Sequence, residues 1–256
     1  RVRAGMAAAA VVVAGGLVAV GVVGGLRTDP AGASGSVVLA DFQPEGADAH
    51  VARVVTEALR IDLLRSPAFR LVEAYEVEGA LQRMQRDPIA GLSEDVAREI
   101  ALRDGHAAVV AGDVAAVAGG FLLTARVLDA SEGATVVALR ENAPDSTALI
   151  AALDRLSKRV RDELGESVDQ LGAARPLPDV ATPSFPALSR YARAYELGRS
   201  GGDQAQVVAL LEEALELDPD FAAAHRSLAV SLWNMRGDRG RAAVAARTAY
   251  ELRDRL

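Results

Sequence analysis

A repeat near the end of the chain constrains its fold more than any other feature. Gly202-Asp203 recurs as Gly237-Asp238, and Ala214-Leu215-Glu216-Leu217 recurs as Ala249-Tyr250-Glu251-Leu252; 202 to 237 and 214 to 249 are the same offset of 35. A period of that length is that of stacked helical hairpins. One such hairpin cannot bury its apolar face by itself, so the spacing predicts an all-α solenoid over residues 188–256 that holds a protein or peptide on its concave side. The chain opens on Arg1 and stops at Leu256 directly after the second copy, which reads as a fragment.

The 256 residues, 50% of them hydrophobic, leave room for a membrane segment and two small domains. A net charge of -7, with Lys158 the one lysine, speaks against nucleic acid, because phosphate binding needs Lys and Arg clustered on one face. There is no cysteine, which excludes disulfides, thiolate metal sites, a cysteine nucleophile and a lipidated cysteine anchor. From Ala4 to Leu26 no side chain is charged or hydrogen-bonding. As a helix rising about 1.5 Å per residue, that run spans ~34 Å, enough for a hydrocarbon core of ~30 Å. A cleavable signal peptide has a shorter apolar core, roughly 7–15 residues. A transmembrane helix over 1–27 is therefore expected, with the lipid bilayer as a partner. Arg1 and Arg3 before it against Arg27 after it orient a single-pass inner-membrane protein with an extracytoplasmic C-terminal region. Gly21 and Gly25 form a small-xxx-small pair that permits a homodimer.

Residues 36–170 read as a mixed-sheet α+β domain. The run Val37-Val38-Leu39 predicts a buried strand. Val51, Val54, Val55, Ala58, Leu59 and Leu63 recur at helical spacing behind Asp48 as N-cap, and Ser66-Pro67 stops them. A short strand at 69–72 and two helices precede a meander over 107–117, 121–129 and 134–140. A last helix places Leu149, Leu153, Leu156, Val160 and Leu164 on one stripe. The basic stretch from Arg155 to Arg161 reads as the solvated face of that helix. Residues 171–187, with Pro176, Pro178, Pro183 and Pro186, read as a stiff extended linker.

Chemistry is sparse. An enzyme needs nucleophile, base and charge-stabilising groups in one pocket, and no such set, phosphate loop or dinucleotide fingerprint stands out. His50, His106 and His225 each lack a second ligand at metal spacing, so no catalytic residue, metal or cofactor is assigned. Asp41, Asp113 and Asp129 fall near strand ends and read as solvated carboxylates; a weaker reading lets Asp41 and Asp113 line a small-molecule cleft. Ala194, Gly202, Ala214 and Pro219 resemble the small residues, mid-repeat turn and closing proline of the tetratricopeptide repeat. That resemblance implies a partner-binding groove, and Tyr191, Tyr195, His225 and Trp233 are its candidate residues.

An anchor, an α+β domain opening Val37-Val38-Leu39-Ala40-Asp41-Phe42, a linker with Ala181-Thr182-Pro183-Ser184 and then repeats resemble the extracytoplasmic half of bacterial membrane-bound serine/threonine protein kinases. The resemblance implies a non-catalytic, membrane-anchored sensory region that binds peptides or proteins, with the kinase domain upstream. The alternatives are a static envelope assembly scaffold, or the same module attached to a winged-helix regulator or a nucleotide cyclase.

Overall fold

The computed structural model describes residues 35–87, 91–235 and 238–255. The expected membrane anchor at 4–26 and Gly237 of the second repeat lie outside them. Among the described residues no helix is long and apolar enough to cross a membrane.

The chain first builds a mixed sheet. Strands β1 (Ser36–Leu39), β2 (Gln43–Glu45), β3 (Arg70–Leu71), β4 (Ala108–Val117), β5 (Gly120–Asp129) and β6 (Thr135–Ala143) are joined in the order β3-β1-β4-β5-β6, and β2 prolongs the line of β1 alongside β4. β1 runs parallel to both β3 and β4, with Val37 opposite Leu71 and Val38 opposite Val109. β4, β5 and β6 form an antiparallel meander. Alternation along the strands splits the apolar residues between two faces. Val37, Leu39, Val110 and Leu123 face α1 (Ala49–Leu63) and α4 (Leu149–Glu163). Val38, Ala40, Val109 and Leu128 face α2 (Ala74–Arg83) and α3 (Glu94–Asp104).

Helix ends follow local chemistry. Asp48 caps α1 through a bond accepted from His50 N, Ser93 caps α3, and Gly105 closes α3 in the left-handed conformation, φ 75°. Arg161 of α4 is not on a solvated face: its side chain is 2% exposed. Its Nη1 lies 3.2 Å from Asp62 Oδ2 of α1, and its Nε donates to Glu166 Oε2 at 2.7 Å. Ser157 and Ser66 donate to the same two carboxylates. Every charge in this seam has a partner, the condition under which buried charges are tolerated.

Residues 171–187 differ from the extended linker read there. They hold the end of α5 (Val168–Ala173), then α6 (Leu177–Val180) and the start of α7 (Phe185–Arg199). Leu177 and Val180 are fully buried, and Leu177 N donates to Asp154 Oδ1 of α4 at 2.7 Å. The prolines start helices here: Pro178 and Pro186 occupy first-turn positions, where a missing N–H and a fixed φ are favourable.

The all-α region is corrected as well. α7, α8 (Gln204–Leu217), α9 (Ala222–Asn234) and α10 (Arg239–Glu251) pack in sequence, α7 on α8, α8 on α9, α9 on α10. They do not form the expected tetratricopeptide solenoid standing apart from the sheet. α7 packs against α1, and the apolar residues of α7–α10 share one core with α1 and α4. The apolar face that periodicity assigned to a neighbouring repeat is covered by the sheet's own helix. The C-terminal turn is tied back too, since Arg255 donates to the carbonyls of Asp179 and Asp220.

Candidate functional site

Two concave regions flank the helical half. The first is a cleft of about 570 Å³ where α7 meets the sheet. It begins where β1 ends. Asp41 N donates to Leu92 O and Asp41 Oδ2 accepts from Leu92 N at 2.7 Å, which fixes the chain that leaves the strand. Phe42 then lays its ring on Gly112, where an added Cβ would fall 2.3 Å from the ring edge, and its N–H donates to Thr56 Oγ1. α1 contributes Arg53, Thr56 and Glu57, α7 contributes Arg193, Tyr195, Glu196 and Arg199, and α8 contributes Gln206.

Glu57 is buried and accepts a long hydrogen bond, 3.4 Å, from Arg60 Nε. Burial pushes its carboxyl above the usual range, against the pull of the Arg60 guanidinium and with a further push from Asp41. Arg60 sits 5.7 Å over the Tyr195 ring. The Tyr195 phenol is raised by its own burial and then by the Glu57 charge, so it remains a neutral donor.

The second region is a groove of about 460 Å³ formed by α8, α9 and α10. Leu228 and Leu232 form its floor, while Val244, 66% exposed, and Ala245 form a wall. Arg241 pairs with Glu212 at the rim. His225 Nε2 donates to Pro219 O at 2.8 Å, which leaves Nδ1 as a buried acceptor with no partner among the described residues. Beside the groove, α9 turns a second face outward with Val230 at 57% and Trp233 at 62% exposure. Large exposed hydrophobic side chains gather in this part of the molecule, with Leu217, Met235 and Tyr250 close by in sequence.

The four groove residues read from sequence are not brought together. Tyr191 is 4% exposed and packs its ring 5.0 Å from that of Phe221. Tyr195 lines the cleft at the sheet, His225 lines the groove between α8 and α10, and Trp233 stands at the end of α9 with Arg239 over its ring. Asp41 does line a cleft, whereas Asp113 pairs with Arg126 at 3.0 Å and Asp129 caps the following turn through Ser131 and Glu132. His50 lies 2.5 Å from Ser189 Oγ across the α1–α7 seam, and His106 lies 2.7 Å from Ser36 Oγ. Among the described residues no three His, Cys, Asp or Glu side chains are grouped to hold a metal.

Sequence reading missed Glu57. Glu57 left one signal, a carboxyl set between the apolar residues Val55, Ala58 and Leu59 of α1.

The chain matches no protein-family model and no curated protein. Among solved structures it is similar to the LpoB C-terminal domain from Salmonella enterica, at 20% identity and TM-score 0.38 over 46% of this chain and 88% of that one. The LpoB C-terminal domain from Escherichia coli is similar at 20% identity and TM-score 0.39, over the same shares. Lipoprotein GNA1162 from Neisseria meningitidis is similar at 17% identity and TM-score 0.33, over 52% of this chain and 99% of that one. No kinase or tetratricopeptide family model matches, and the reading of the chain as the extracytoplasmic half of a serine/threonine protein kinase is withdrawn. The single-pass membrane reading rests on residues 4–26, which lie outside the described residues; among those described, no helix is long and apolar enough to cross a membrane.

Proposed function

We propose that this chain is a non-catalytic protein-binding module, a static assembly scaffold of the envelope and not the sensing half of a receptor. The observation that carries the reading is the open outer face of α9, with Val230 and Trp233 in water. Along the 35-residue offset, Val230 corresponds to Tyr195 and Arg226 to Tyr191, residues of the α7 helix that packs against α1. The same side of the repeat is covered in the first pair and, among the described residues, bare in the second. The partner that fits is an amphipathic helix from another protein, laid on α9 as α1 lies on α7.

A photo-crosslinking residue at Val230 tests this, with Tyr75, 70% exposed on α2, as the control position. Discrete protein adducts are expected from position 230 and are expected to vanish with Trp233→Ser. Identical adducts from both positions, or none from position 230, would end the proposal.

A further inference from the structure

The outer face of α9 carries a charge that specifies the chemistry of what sits on it. The chain as a whole is acidic, at -7, yet its last helical pair is basic. Residues 221–255 hold seven arginines against the carboxyls of Asp238, Glu251 and Asp254, whereas residues 185–217 of the first pair hold three arginines against five carboxyls. Arg241 pairs with Glu212 and Asp238, and Arg255 lies 3.6 Å from Asp220. Among the described residues Arg226, Arg239, Arg247 and Arg253 have no carboxylate partner. Two of these four border the open face itself. Arg226, Val230 and Trp233 follow one another at i, i+4 and i+7, which puts them on one side of α9, and all three are exposed. Arg239 of α10 lies over the Trp233 ring, 5.6 Å from its centroid, and supplies a second guanidinium at the far end of that side. The apolar patch of Val230 and Trp233 is held between two unpaired cations.

The first pair shows how such a seat is filled. There the helix laid alongside is α1, which packs on α7, brings Arg53 to 2.9 Å from Glu196 and sets Arg60 over the Tyr195 ring. The cations come from the added helix and the carboxylate from the pair. One period on, Arg226 stands for Tyr191 and Ser231 for Glu196, so on this side the second pair offers cations and no carboxylate. A second copy of the chain set face to face would bring Arg226 and Arg239 against themselves, and like charges oppose association. An anionic bilayer answers the charge, but the occupant of the corresponding side in the first pair is a helix. We infer, given the protein-binding reading of this face on which the inference depends, that the partner is an acidic amphipathic helix, its apolar stripe on Val230 and Trp233 and its flanking carboxylates on Arg226 and Arg239.

Trp233 is the one tryptophan of the chain, so its emission reports on this face directly. Two synthetic peptides of equal length with the same leucine stripe are titrated into the full chain at low salt, one with glutamate and glutamine on its polar side, the other with lysine and glutamine. The glutamate peptide is expected to move the Trp233 emission to shorter wavelength in a saturable way and to bind about tenfold more tightly than the lysine peptide. Added salt should narrow that ratio. Arg226→Glu combined with Arg239→Glu, two exposed changes that keep Val230 and Trp233, should reverse the preference. Equal or tighter binding of the lysine peptide overturns the inference, and so does an unreversed preference in a double variant whose circular dichroism matches the parent. Absence of a saturable shift from the glutamate peptide overturns it too, while the protein-binding reading survives if photo-crosslinks at Val230 still form. A larger shift with phosphatidylglycerol vesicles than with the glutamate peptide would overturn it in favour of a membrane surface, and an emission that moves with protein concentration alone would overturn it in favour of a second copy.

Discussion

The two helix pairs answer one sequence period with different surroundings. In the first, Tyr191 of α7 is buried and Tyr195 half-buried, and Val208 and Leu211 of α8 are buried. Thirty-five positions on stand Arg226, Val230, Ala243 and Ala246, and all four are exposed. Positions shared as buried, such as Val207 with Ala242 and Ala214 with Ala249, are those that hold one helix of a pair to the other. Repetition therefore specifies the hairpin, while the neighbour decides what the rest of each helix must be. Where α1 and α9 supply a neighbour the residues are large and apolar. Where none of the described residues covers the surface, they are alanine, arginine, or hydrophobic side chains left in water.

The largest effect should come from the platform under the first pair. Arg161→Ala leaves Asp62 and Glu166 buried without their cation, and loss of about 3–5 kcal/mol is expected. Urea unfolding of the variant measures it, and a loss below ~1 kcal/mol would show that α1 is held in place without this seam. Next is Leu211→Ala, a truncation at a 1% exposed position that should cost about 2–5 kcal/mol by the same measurement.

Much of this architecture was legible because it rests on local rules. The alternation in 107–117 and 121–129 follows from side chains pointing to opposite faces of a strand, and those strands stand at 108–117 and 120–129. Three features were hidden for physical reasons. β2, with an exposed Gln-Pro-Glu sequence, is held by backbone pairing with β4 and carries no apolar pattern. Arg161 reads as exposed because charge usually is, and its burial depends on Glu166 together with Asp62, which is distant in sequence. Tyr191 and Tyr195 have helical spacing whether a ligand or a neighbouring helix covers them, so spacing could not separate binding groove from core. The cleft was legible only at Asp41, since its other walls come from α1 and α7, far apart in sequence.

Two smaller effects sharpen the contrast between pairs. Asp203 caps α8 by accepting from Ala205 N, and Asp238 caps α10 by accepting from Arg241 N. Either Asp→Ala change should cost about 1 kcal/mol. Hydrogen exchange should show Asp203→Ala loosening α7 and α8 together, and Asp238→Ala loosening α10 while α7 stays protected.

The pH dependence of the α1–α7 seam should be weaker. Burial lowers the His50 pKa, Arg53 and Arg193 lower it further, and Asp48 and Glu196 oppose them. The folded chain therefore takes up this proton less readily than the unfolded one. The stability tied to the neutral ring is complete above the ordinary histidine pKa of ~6.5 and is lost as pH falls through the lowered folded value. Comparing urea midpoints at pH 7.5 and 5.5 should show a fall in the parent that His50→Gln reduces; an unchanged fall would place the titration elsewhere, His106 being lowered in the same sense.

The smallest expected effect on stability decides what the open face is for. Val230→Glu and Ala246→Leu alter exposed positions of the second pair whose counterparts in the first, Tyr195 and Leu211, are half-buried and buried. Neither should move the urea midpoint by more than ~0.5 kcal/mol, as for surface substitutions away from caps and core. Val230 and Ala246 lie on different helices, so the two variants part in function. A charge at 230 sits where a partner helix would place its apolar side and should abolish the adducts formed by a photo-crosslinker at Trp233. Leucine at 246, on α10, should leave those adducts in place. If Val230→Glu instead unfolds the pair, α9 is covered by part of this same chain, and the difference between the two pairs disappears.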